Sequence, residues 1–181
     1  MQNYSNLATT FLRIILWISL ISATIALIVI VLGLIAVTLD FNLPIFSGIK
    51  ITIGATAFTI QEIKKSGIVN FVIFGISAVC YLSLLIKLTN NALNVLYKVD
   101  FHNPFNEYTS NSISKLGSTA LTLGILNIVF SSVILLFYNK RFVIDFSFEN
   151  FSFLIMGAIL YIVSLIFKRG VALQSENDLT I

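Results

Sequence analysis

From Ile14 to Leu39 the chain carries no charged side chain, and its polar groups are confined to Ser19, Ser22, Thr24, Thr38 and the indole of Trp17. As a helix rising about 1.5 Å per residue, this run would be roughly 39 Å long, enough to cross a hydrocarbon core of about 30 Å with some tilt. Each of its many Ile, Leu and Val residues favours insertion by about 0.3 to 0.6 kcal/mol near the bilayer centre. The solvent for this stretch is therefore lipid. Ile68–Ile86, Leu116–Tyr138 and Ser152–Phe167 are charge-free in the same way. Spans at about 14–39, 68–86, 116–138 and 152–167 predict one integral membrane domain over residues 1–181. The expected fold is an all-α membrane protein with four transmembrane helices in a bundle. Charged residues are 10% of the chain, against about 25% in soluble domains.

The first run is too long for a signal-peptide core of about 7 to 15 residues and lacks a convincing small-residue cleavage site, so it is read as a retained helix. Ser19, Ala23, Ala26, Ile30, Gly33 and Val37 recur at alternating spacings of four and three, which puts small residues on one face. Membrane helices approach closely along such faces, because no water drives them together. Gly117, Ala120, Gly124, Asn127 and Ser131 form a comparable stripe in the third run, and Gly157, Tyr161 and Ser164 share a face in the fourth. Asn127, Ser131 and Asn70 are the candidate intramembrane polar groups. All three are read as polar packing residues, and for Asn127 a cross-helix hydrogen bond is favoured over a binding site.

The connections carry the other structural signals. Ile49, Ile51 and Ile53 alternate with Lys50, Thr52 and Gly54, a period-two strand pattern. Gly54-Ala55 suits a turn, and Ala57–Ile63 reads as a second strand or the lead into a helix. Phe142–Glu149 alternates again on the same side of the membrane. A small extracytoplasmic β element built from the first and third connections is expected, lying outside the hydrocarbon where extended backbone must be. After Lys87, the apolar period of Leu88, Ala92, Leu93, Leu96 and Tyr97 continues the second helix as a stalk. Pro104 stops it, and Asn106 with Glu107 then suits the start of another helix.

Charge excludes several functions. A net charge of +3 spread along the chain is no nucleic-acid footprint, so no direct contact with nucleic acid is expected. The single cysteine, Cys80, and the single histidine, His102, sit apart, and no metal centre or cofactor is expected from them. No span contains Asp, Glu, His, Lys or Arg between its ends, and no nucleophilic triad, HExxH motif or phosphate loop is present. The chain is read as a non-enzyme, and a proton-coupled transporter is disfavoured. Lys and Arg divide almost evenly between the two sides, so the positive-inside rule is nearly silent. Lys168-Arg169 against the last span favours both termini in the cytoplasm.

The tail reads F-K-R-G-V-A-L-Q-S-E-N-D-L-T-I from Phe167 to Ile181. It resembles the end of a bacterial family of four-span membrane proteins of unknown function, whose last helix finishes F-[KR]-R-G-x-x-L-Q-x-E-x-D-L-T-[VI]. Asn103-Pro104-Phe105, Glu107 and Lys115-Leu116-Gly117 resemble that family's middle loop. The resemblance implies four helices, a bacterial cytoplasmic membrane and no established activity. Members are often encoded beside a small helix-turn-helix regulator, which implies a regulatory partner.

Physically, Gly170 reads as a helix breaker just after Lys168-Arg169, with continuation to Asn177 as the alternative. In that alternative Val171, Ala172 and Leu173 pack on the cytoplasmic mouth of the bundle. Lys168, Arg169, Leu173, Gln174, Glu176 and Asp178 are the candidate partner-binding residues. The leading function is a membrane regulator or sensor with a cytoplasmic partner such as a helix-turn-helix transcription factor. The alternatives are a small transport or permease component, working as a homo-oligomer with a path along Asn127, Ser131 and Asn70, and self-protection against a membrane-active peptide.

Overall fold

A computed structural model of the chain describes residues 2–39, 50–53, 56–98, 105–139, 144 and 148–178. In chain order the elements are α1 (Gln2–Thr38), β1 (Lys50–Ile53), β2 (Thr56–Thr59), α2 (Ile60–Lys65), α3 (Ile68–Lys98), α4 (Glu107–Asn139) and α5 (Phe148–Asp178). The helices α1, α3, α4 and α5 are each long and apolar enough to cross a membrane. The chain is a multi-pass membrane protein. Peptide groups at bilayer depth have no water to bond, and a continuous helix satisfies them internally.

The helices are longer than the apolar runs. α1 has 37 residues, α3 and α5 have 31 each and α4 has 33. At about 1.5 Å per residue even the shortest is roughly 46 Å long, well beyond a hydrocarbon core of about 30 Å. The helix entered at Ile14 by hydropathy begins at Gln2.

β1 and β2 form an antiparallel hairpin with Lys50 opposite Thr59 and Ile53 opposite Thr56. The stretch from Ala57 thus divides between strand and helix. Thr59 stops β2 and caps α2, because its Oγ1 accepts from the Glu62 N–H at 3.2 Å while its own N–H donates to Glu62 Oε2 at 2.7 Å. Most of the second extended stretch lies outside the described residues. Its last two members, Phe148 and Glu149, are the first turn of α5 rather than strand. Among the described residues, no strand from that connection joins the hairpin.

Packing follows chain order. α1 packs on α3, α3 on α4, and α4 on α5 most extensively of all. Ala23, Gly33 and Val37 are buried on α1, so the small-residue stripe is its packing face. At the hairpin end, α2 inserts Ile60 and Ile63, 0% and 2% exposed, against Val37, Phe71, Phe74 and Ile134. Gly67 joins α2 to α3 with φ of 129°, a backbone conformation that only glycine adopts cheaply. A second core sets Leu88 of α3 against Leu116, Ala120 and Leu123 of α4.

Candidate functional site: the belt and the projecting helix ends

At the end of the molecule where α1 and α4 begin and α3 and α5 finish, a series of polar and aromatic contacts joins all four helices. Arg13 of α1 donates from Nη2 to the Leu96 carbonyl at 2.7 Å, and its guanidinium carbon lies 4.5 Å from the centre of the Tyr97 ring. A cation is favoured here because the last carbonyls of α3 carry the negative end of the helix dipole. One turn on, the Trp17 indole donates to the Tyr97 hydroxyl at 3.1 Å. Lys98 places its ammonium 5.7 Å from the centre of the Tyr108 ring on α4. Ser110 of α4 donates to the Ser164 carbonyl of α5 at 3.2 Å. Trp and Tyr concentrate at membrane–water interfaces, so this belt marks the level of the headgroups.

The start of α4 is built as its sequence suggests. The Asn106 Oδ1 accepts from the Thr109 N–H at 2.8 Å, an N-cap, with Glu107 in the first turn. Phe105, just before it, packs against Phe167 of α5 with ring centres 5.3 Å apart and the rings inclined at 43°. Phe105 also lies over Gly170, where a Cβ would come within 2.5 Å of its ring. Gly170 therefore does not break the helix. It is the seat that lets the Phe105 ring lie against α5.

Beyond that seat, α5 continues to Asp178. Lys168, Arg169, Leu173, Gln174 and Glu176 are all exposed on it. Leu173 is 55% exposed, so it does not pack on the mouth of the bundle as its apolar character suggests. Asp178 closes the helix, and His102 lies outside the described residues.

Of the three intramembrane polar residues, Asn127 and Ser131 lie one turn apart on α4, while Asn70 stands on another helix and bonds elsewhere. Asn70 sits in the first turn of α3 and donates to the Ser66 carbonyl and hydroxyl at 3.2 and 3.0 Å. Ser131 is buried on α4 and donates to the Ile128 carbonyl of its own helix at 3.1 Å. Asn127 is half-buried one turn earlier on α4. Among the described residues, no three of His, Cys, Asp and Glu gather as a metal-binding group. The Arg13–Trp17–Tyr97 cluster escaped the sequence reading. Its signal was an Arg and a Trp one turn apart at the edge of the first run.

The family described as "Protein of unknown function (DUF2975)" matches residues 34–181. The chain belongs to that family. No curated protein and no solved structure matches it. The DUF2975 match begins in the last turns of α1 and takes in α2 to α5, so it contains the belt except for its α1 residues.

Proposed function

We propose that the chain is a non-enzymatic membrane regulator or sensor of the bacterial cytoplasmic membrane, with both termini inside, that holds a cytoplasmic partner such as a helix-turn-helix transcription factor. The observation that carries this reading is the projecting end of α5. Past the aromatic belt it presents an exposed leucine, Leu173, among the exposed Lys168, Arg169, Gln174 and Glu176. An apolar anchor ringed by polar and charged groups is the usual composition of a small protein-binding patch. The Phe105–Phe167 contact ties that projection to the membrane core, so a shift between spans would be felt at the patch. The charge-free span centres support a role without catalysis or a cofactor. The transport reading has less support, because Asn70 and Ser131 bond to their own chain neighbours.

Membranes carrying the full chain are expected to retain the co-expressed regulator. Deleting Gln174–Ile181, or replacing Leu173→Asp, is expected to release it to the soluble fraction. Retention unchanged by both alterations would remove the tail from the mechanism.

A further inference from the structure

A groove of about 840 Å³ runs between α1 and α3 on the side opposite the belt. Its walls are Leu34 and Ile35 of α1 and Phe71, Val72, Gly75 and Ile76 of α3. Gly75 contributes no side chain, and the nearest atom to a Cβ there would be Leu34 Cδ1 at 3.3 Å. Ile35, Val72 and Ile76 are about half exposed, so the groove opens sideways to the surroundings of the spans. Its polar members are unevenly placed. Thr38 and Lys64 stand at the end nearest α2, and Cys80 lies at the other end. Along α3 from Ile68 to Cys80 the groove is roughly 18 Å long by helical rise. That is close to one leaflet, half of a hydrocarbon core of about 30 Å.

We propose that this groove holds one acyl chain of an anionic phospholipid, with the phosphate against Lys64. The length matches a chain from one leaflet, and Lys64, the one cation among the described lining residues, stands at the end where that leaflet's headgroups would lie. Lys64 is fixed in place because its ammonium donates to the Val37 carbonyl at 2.6 Å. The exposed Lys65 adds positive charge at the same level. The lipid completes the α1–α3 interface, where side chains alone leave a gap.

The full chain, reconstituted in vesicles of equal phosphatidylglycerol and phosphatidylcholine with matched acyl chains, is extracted in mild detergent and weighed by native mass spectrometry. One bound lipid per chain is expected, with phosphatidylglycerol favoured by about fivefold, the ratio one lysine beside an anionic headgroup supplies. Ile76→Trp fills the groove from its open side and is expected to reduce the bound lipid to background. Lys64→Gln is expected to keep a lipid but bring the two headgroups near parity. In the unaltered chain, Cys80 is expected to react more slowly with a bilayer-soluble maleimide in phosphatidylglycerol vesicles than in phosphatidylcholine vesicles. Equal retention of both lipids by the unaltered chain overturns the proposal. So does phosphatidylglycerol surviving Ile76→Trp, a Cys80 rate indifferent to headgroup, or a dimer whose second copy fills the groove.

Discussion

Glycine does three separate jobs in this chain, and space alone tells two of them apart. At Gly157 an added Cβ would lie 2.7 Å from the Leu121 backbone N and 2.9 Å from the Gly117 carbonyl O. At Gly117 it would lie 2.8 Å from the Tyr161 backbone N. Backbone cannot step aside, so either methyl must push α4 and α5 apart. Gly157→Ala is expected to destabilise by about 1–3 kcal/mol, the usual range for overpacking. At Gly75 the obstacle is the flexible end of Leu34, and Gly75→Ala is expected within about 0.5 kcal/mol of the parent. Thermal unfolding of both variants in the same detergent checks the contrast. Equal melting would mean that α4 and α5 do not meet backbone to backbone. Gly67 is the third case, required by its φ of 129° with nothing within 4 Å of it. A double-mutant cycle of Arg13→Ala and Tyr97→Leu is expected to give a coupling of about 0.5–2 kcal/mol, the range of a cation–π contact. A coupling of zero would leave the guanidinium anchored by Leu96 alone.

Among the elements, α2 is the one most dependent on its cap. It has 6 residues, far too few to hold a helix by propensity. Its two buried isoleucines hold it against the spans, while the reciprocal Thr59–Glu62 bonds fix where it starts. Thr59→Ala is expected to cost about 1 kcal/mol and to raise amide exchange across Ile60–Lys65 roughly fivefold. Exchange unchanged by the substitution would show that Ile60 and Ile63 suffice. The same element shows how far sequence can be read here. The Ile49–Ile53 alternation disclosed the hairpin, since period two survives wherever a strand has two different faces. Charge-free runs disclosed the four helices, since lipid tolerates nothing else. Hydropathy reports where lipid lies, however, and not where a helix stops. The polar turns of α1 before Ile14 were therefore illegible, and those of α5 after Phe167 stayed open between a break at Gly170 and continuation to Asn177. Gly170 misled because a glycine near a helix end serves close approach as readily as a left-handed cap. Its partner, Phe105, sits more than sixty residues earlier in the chain, and no local pattern connects the two.

For the whole molecule, the serial packing sets which helices depend on one another. α4 and α5 are joined by backbone-level contact and by the Ser110–Ser164 and Phe105–Phe167 links. α1 is held by its small-residue stripe, by Arg13 at one end and by Lys64 at the other, with an open groove between. Asn70 and Ser131 were visible in the sequence as polar residues in apolar runs, but their partners were not, because an amide or hydroxyl bonding a residue three or four places earlier leaves no trace in spacing. Sidedness is a property of the whole chain as well. Four crossings return the chain to its starting face, so Leu7 and Ser175 must share a compartment and Lys65 must lie across from them. The nearly even division of Lys and Arg leaves the choice of face to Lys168 and Arg169, which directly follow the last apolar run. In a Cys80→Ser background, single cysteines at 7, 65 and 175 can be challenged in intact cells with a membrane-impermeant maleimide. Position 65 is expected to label at once, and positions 7 and 175 only after the membrane is opened. The inverse pattern would turn the protein over and remove the projecting end of α5 from the cytoplasm. Labelling of 7 and 175 from different sides would break the four-span architecture itself.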